Sequence, residues 1–172
     1  MKKKKISLKE LIVFAMLGAL MFLSKMLLEW APNVHLLACF TVAFTVVYRA
    51  KALFPVGVFI FLTGLYAGFN LWWYPYLYLW PLLWGAAMLL PKNLSGWKAT
   101  VCYVLLCTLH GLLYGTLYAP YQALVFGLSF EGTLAWIAAG FPYDLVHAAG
   151  NFAAGFLVLP LVKLLRTLSK KL

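Results

Sequence analysis

The stretch Leu11-Ile-Val-Phe-Ala15-Met-Leu-Gly18-Ala19-Leu-Met-Phe-Leu-Ser-Lys25-Met-Leu-Leu-Glu29-Trp30 decides the fold class. It is an apolar run about 20 residues long, which is the length a helix needs to cross a hydrocarbon core of about 30 Å. On a helical repeat of about 3.6 residues, Ala15, Gly18, Ala19, Phe22, Met26 and Glu29 fall on one face, with Lys25 at its margin. The inner half of that face is smooth and suits close docking of another helix. The outer end carries the charges Lys25 and Glu29 beside Trp30, which suits a polar ligand or lid. One helix therefore offers a surface for a partner at one end and for a ligand at the other.

Five more apolar segments follow. The six run over about 9–30, 33–49, 52–69, 71–90, 97–119 and 136–164 by the same length criterion. With 65% hydrophobic and 10% charged residues in 172, the composition predicts an all-α membrane protein, one bundle of six transmembrane helices spanning residues 1–172 as a single domain. The net charge of +10 would suit nucleic acid if it were clustered on a soluble face. Instead Lys2 to Lys5, Lys9, Arg49, Lys51, Lys92, Lys98, Lys163, Arg166, Lys170 and Lys171 all fall on one side of a six-segment chain. That is the positive-inside pattern, with both termini cytoplasmic in a bacterial plasma membrane. Nucleic acid drops out as a partner; the lipid bilayer takes its place. A basic start before an apolar run resembles a signal peptide, but without a small-residue cleavage site it is expected to stay as the first helix. Cys39, Cys102 and Cys107 form no C-x-x-C pair and are expected to be structural thiols, with no metal and no cofactor.

Candidate ligand groups appear along the chain. Ala31-Pro32 ends the first helix, and Asn33 and His35 open the second. Trp73, Tyr76, Trp80 and Trp84 form an aromatic stripe interrupted by Pro75 and Pro81, which free backbone groups. Such a wall suits a flat ligand, although interfacial anchoring explains aromatic residues equally. In the fifth segment Tyr103, Cys107, His110 and Tyr114 share a stripe, and His110 lies about 20 Å along the helix, deep enough to need a partner. The connection Pro120 to Gly132 is expected to be the longest external loop and a lid. In the sixth, Gly140, Asp144, His147 and Asn151 follow at i, i+4, i+7 and i+11. An ionisable side chain there costs roughly 2.5–3.5 kcal/mol on insertion scales and usually marks function. Asp144 and His147 also have the spacing to satisfy each other.

The six-helix layout, the cytoplasmic termini, the short first connection and Ala15-x-x-x-Ala19 resemble the S components of energy-coupling factor (ECF) transporters. The runs Pro32-Asn-Val-His-Leu, Gly68-Phe-Asn-Leu-Trp-Trp and Tyr76-Leu-Tyr-Leu-Trp80 resemble one branch of that family. The resemblance implies that Ala15, Gly18 and Ala19 dock onto a transmembrane coupling subunit carrying two cytoplasmic ATPases. It implies a small water-soluble, heteroaromatic vitamin-like ligand held by Trp30, Asn33, His35, Trp73, Tyr76, Trp80, His110, Tyr114, Asp144, His147 and Asn151. It further implies that the subunit topples in the membrane to release that ligand inside.

Two other classes compete. His147-Ala-Ala-Gly-Asn151 matches the H-x-x-x-N element of CAAX-type intramembrane proteases, but of Glu10, Glu29 and Glu131 no two are adjacent in sequence and no G-x-S-G site is present. No enzyme is expected, hence no catalytic residues. An ion-coupled secondary carrier for an amino acid or nucleobase-like compound would use Asp144 and His147 for protons. No Walker motif is present, so any ATP hydrolysis belongs to a partner.

Overall fold

The computed structural model describes residues 6–170. The sequence-based placement of Lys2 to Lys5 and Lys171 lies outside the described residues. The described chain is helical, with α1 (Leu8–Leu27), α2 (Leu37–Tyr48), a 3-10 turn (Arg49–Ala52), α3 (Leu53–Ala67), α4 (Tyr76–Met88), α5 (Gly96–Leu112), α6 (Tyr114–Phe126), α7 (Phe130–Gly155) and α8 (Val158–Ser169). Three helical stretches are long and apolar enough to cross a membrane: Leu8–Leu27, Leu37–Ala67 and Gly96–Phe126. The pair α7 and α8, bent by 48° at their break, makes a fourth if it is one span.

Local chemistry explains the helix ends. Ser7 and Glu10 form a capping box at the start of α1, with each side chain accepting the other's backbone N–H, so two otherwise orphaned donors are satisfied. Gly127 ends α6 in the left-handed conformation, φ 63° and ψ 36°, where a Cβ would be strained. Ser129 then caps α7 by accepting from the Gly132 N–H at 3.1 Å. These two residues correct the expected external loop at Pro120 to Gly132. Most of it is helix, and only residues 127–129 separate α6 from α7. Pro120 is carried inside α6. Further boundaries shift: the expected helix 33–49 begins only at Leu37, so Asn33 and His35 precede it; 71–90 begins only at Tyr76; 97–119 breaks between α5 and α6; and 136–164 divides into α7, which starts at Phe130, and α8.

The core gathers on α2, whose residues Leu37 to Val46 are all buried, with α4, α5, α7 and α8 packed around it. The closest pairings are α5 with α7 and α1 with α3. A Cβ on Gly18 of α1 would meet Val58 Cβ at 2.5 Å and the Pro55 carbonyl oxygen at 2.7 Å, so the smooth spot at Gly18 is filled by α3. Ala15, one turn earlier, is exposed, and Ala19 is half-buried. Around them α1 exposes Ile12, Met16, Leu23 and Leu27, side chains suited to lipid rather than water.

One end of the bundle is held by polar groups from four places in the sequence. Lys51 pairs with Glu10 at 2.5 Å, and the Arg49 guanidinium donates to the Met88 carbonyl at 2.5 Å. Trp84 Nε1 donates to the Arg49 carbonyl, Arg166 to the Lys92 carbonyl, and the Ser169 hydroxyl to Tyr48. The basic turns and the end of α8 thus converge at one end of the bundle.

Candidate functional site

At the break between α5 and α6 the helix restarts at Tyr114, and the first N–H groups of a helix have no acceptor within it. The Gly115 N–H is satisfied from outside: it donates to Asp144 of α7, with Oδ1 at 3.0 Å and Oδ2 at 3.1 Å. A Cβ on Gly115 would sit 2.6 Å from Asp144 Oδ2, so glycine is what lets the carboxylate reach the backbone. One turn earlier a Cβ on Gly111 would meet Asn151 Nδ2 at 2.8 Å and the His147 backbone at 2.9 Å. Gly111-x-x-x-Gly115 is therefore the close-approach seam between α5–α6 and α7. Asn151 crosses this seam, its Nδ2 donating to the Cys107 carbonyl at 3.1 Å.

All three histidines of the chain meet beside the seam. His147 Nε2 lies 2.6 Å from His35 Nε2, a hydrogen bond in which one ring donates and the other, neutral at that nitrogen, accepts. His110 Nε2 lies 3.3 Å from the Leu79 carbonyl. A carbonyl only accepts, so this nitrogen carries the hydrogen and Nδ1 is left as an acceptor. Aromatic rings fill the space between. Trp80 touches His35 and His110 at centroid distances of 5.8 and 5.5 Å, and Tyr114 touches His110 and His147 at 5.8 and 4.7 Å. In this cluster His35 Nδ1, Trp80 Nε1, His110 Nδ1 and Asn151 Oδ1 are buried without a hydrogen-bond partner. Most buried polar atoms are paired in folded proteins, which sets these four apart from the rest of the core.

A cavity of about 210 Å³ opens beside the cluster. Tyr114, Gly115 and Tyr118 of α6 form one wall, and Trp136, Gly140, Tyr143, Asp144 and His147 of α7 form the other. Asn33 closes it from the connection between α1 and α2; its φ of 62° is a left-handed backbone that asparagine tolerates better than most residues. Asp144 is 5% exposed and Tyr143 65%, so the cavity runs from an accessible rim to a buried carboxylate. Tyr118 stacks on Trp136 at 5.9 Å.

Of the residues singled out from sequence, His35, Trp80, His110, Tyr114, His147 and Asn151 come together in the cluster, with Tyr76 against Trp80 at 5.9 Å. Asn33 and Asp144 line the cavity together with Tyr114 and His147; His35, Trp80, His110 and Asn151 lie beside it and do not line it. Trp30 stands apart at 81% exposure. Trp73 is occupied elsewhere, its Nε1 donating to the Ile60 carbonyl at 2.8 Å. The expected aromatic stripe is thus divided: Trp73, in the turn before α4, is tied to α3, Trp84 fastens α4 to the turn at Arg49, and Trp80 lies against His35 and His110. Asp144 and His147 do not pair with each other; Gly115 and His35 are their partners. Lys25 and Glu29 form no ion pair either, because α1 ends at Leu27 and Glu29 leaves the helical register. Both line a second hollow of about 160 Å³ beyond Asn33.

Tyr118, Trp136 and Tyr143 were missed in the sequence. The polar stripe of α7, extended one turn back from Gly140, arrives at Trp136, and Tyr118 lies one turn beyond Tyr114. The chain matches no protein-family model, and neither a curated protein nor a solved structure matches it.

Proposed function

We propose that the chain is the substrate-capture subunit of an ECF-type importer, a multi-pass protein of the bacterial plasma membrane with six spans and cytoplasmic termini. It takes a small vitamin-like compound from outside and works with a transmembrane coupling subunit and two cytoplasmic ATPases. The observation that carries this reading is the α6–α7 cavity, where the buried carboxylate of Asp144 lies among aromatic walls, with the histidine cluster beside it. Polar groups at such depth are costly unless used. A cavity of about 150 Å³ holds a benzene molecule, so 210 Å³ admits one ring with a few substituents. The exposed Ala15 on the outward face of α1 supports a helix-docking role for that face, now carried by Ala15 and Ala19 without Gly18.

The test is gentle purification of the tagged chain from its native host beside an Ala15→Trp, Ala19→Trp double variant. Two ATPases and a large membrane subunit are expected with wild type and not with the variant. Wild type arriving with no ATPase contradicts the proposal. A secondary carrier is the second reading, favoured by the His35–His147 contact, which holds a single proton between two rings. Uptake that survives loss of cellular ATP while the proton gradient is maintained would select it.

A further inference from the structure

Asp144 is buried, and no lysine, arginine or histidine lies within salt-bridge distance of it; the one such pair among the described residues is Lys51 with Glu10. Its single hydrogen-bond donor is the Gly115 N–H, shared by both oxygens. An ionised carboxylate taken out of water costs several kcal/mol unless a positive charge accompanies it. The neighbouring helix supplies only the partial positive charge of the α6 N-terminus. Around the carboxylate stand four aromatic side chains, Tyr114, Tyr118, Trp136 and Tyr143, and neither lysine nor arginine lines the cavity. Aromatic faces attract cations electrostatically and offer nothing comparable to an anion. Lys25 lines a different hollow, beyond Asn33.

We propose that the α6–α7 cavity takes a small organic cation, a single ring bearing an ammonium or equivalent positive group, with Asp144 as counter-ion and the four aromatic side chains as walls. This rests on the capture reading of the same cavity and narrows its ligand by charge. The ligand's positive group lies against Asp144 and its ring lies between the Tyr118–Trp136 stack and Tyr114. Binding then supplies a positive charge that none of the described residues places beside Asp144.

The experiment is tryptophan-fluorescence titration of the purified full chain with three probes of similar size and different charge: benzylammonium, benzyl alcohol and benzoate. Benzylammonium is expected to bind at least tenfold more tightly than either of the others. Asp144→Asn keeps a carbonyl oxygen for the Gly115 N–H and removes the charge, so it brings benzylammonium to the level of benzyl alcohol. Trp136→Leu, at a half-buried position away from the cap, weakens benzylammonium severalfold and leaves benzyl alcohol less affected. Equal or tighter binding of benzoate, or no binding of any probe, overturns the proposal. The co-purification of ATPases is read separately, so a wrong ligand charge and a wrong transporter class give different results.

Discussion

The two closest helix pairings in this molecule use the same device for different ends. In the α1–α3 seam, Gly18 admits Val58 and the Pro55 carbonyl, and the contact is apolar packing against one backbone oxygen. In the seam of α5–α6 with α7, Gly111 and Gly115 admit Asn151, His147 and Asp144. A small residue only permits close approach; what stands opposite decides whether the approach serves packing or chemistry. The first seam leaves the outward face of α1 free. The second brings a carboxylate and an imidazole to one cavity edge, with an amide fastening the helices beside them.

Substitutions that fill each seam separate the two roles. Gly111→Leu is expected to have the largest effect, because its side chain meets both Asn151 and the His147 backbone. Overpacking of this kind costs up to about 3 kcal/mol, and thermal melting in detergent should show a poorly folded protein. Next is Asp144→Ala. It removes the acceptor for the Gly115 N–H, a loss of about 1 kcal/mol by analogy with helix caps, and it weakens ligand binding at least tenfold, about 1.4 kcal/mol. Unchanged affinity in a titration would break the assignment of α7. Gly18→Ala should lower stability by about 1 kcal/mol, at the low end for overpacking, while leaving ligand affinity where it was. A matching loss of affinity would mean that the two seams are coupled. The smallest change is expected from Lys51→Ala, whose partly exposed pair with Glu10 contributes less than about 1 kcal/mol.

Much of the second seam was legible in the sequence because helical periodicity survives tertiary packing. The stripe Asp144, His147, Asn151 lies on one continuous helix, and the spacing from Tyr103 through Cys107 to His110 lies within α5. From that stripe His147 and Asn151 lie against Gly111, and Asn151 donates to the Cys107 carbonyl. The interruption after Leu112 was not legible, since nothing in Gly111-Leu-Leu-Tyr-Gly115 forbids continuous helix. With that restart unseen, Asp144 reads as a partner for His147 by spacing alone. Its actual partner is a backbone N–H 29 residues away, which no local pattern encodes. The helical α6 was hidden by Pro120, Gly127 and Gly132, which read as a loop from composition. Likewise Trp73 and Trp84 belong to the same stripe as Trp80, and only the positions of α3 and of the Arg49 turn decide that their indole N–H groups are used for packing. Of the aromatic lining only Tyr114 was legible, because it stood on a polar stripe; Tyr118, Trp136 and Tyr143 stood on none.

The central claim is that the α6–α7 cavity holds a ligand at Asp144. Native mass spectrometry tests it most directly, on the chain purified gently from its own host, with Asp144→Ala prepared in parallel. The account predicts one small molecule bound to wild type and missing from the variant. A wild-type chain that carries no small molecule, or a variant that retains the same one, would contradict it.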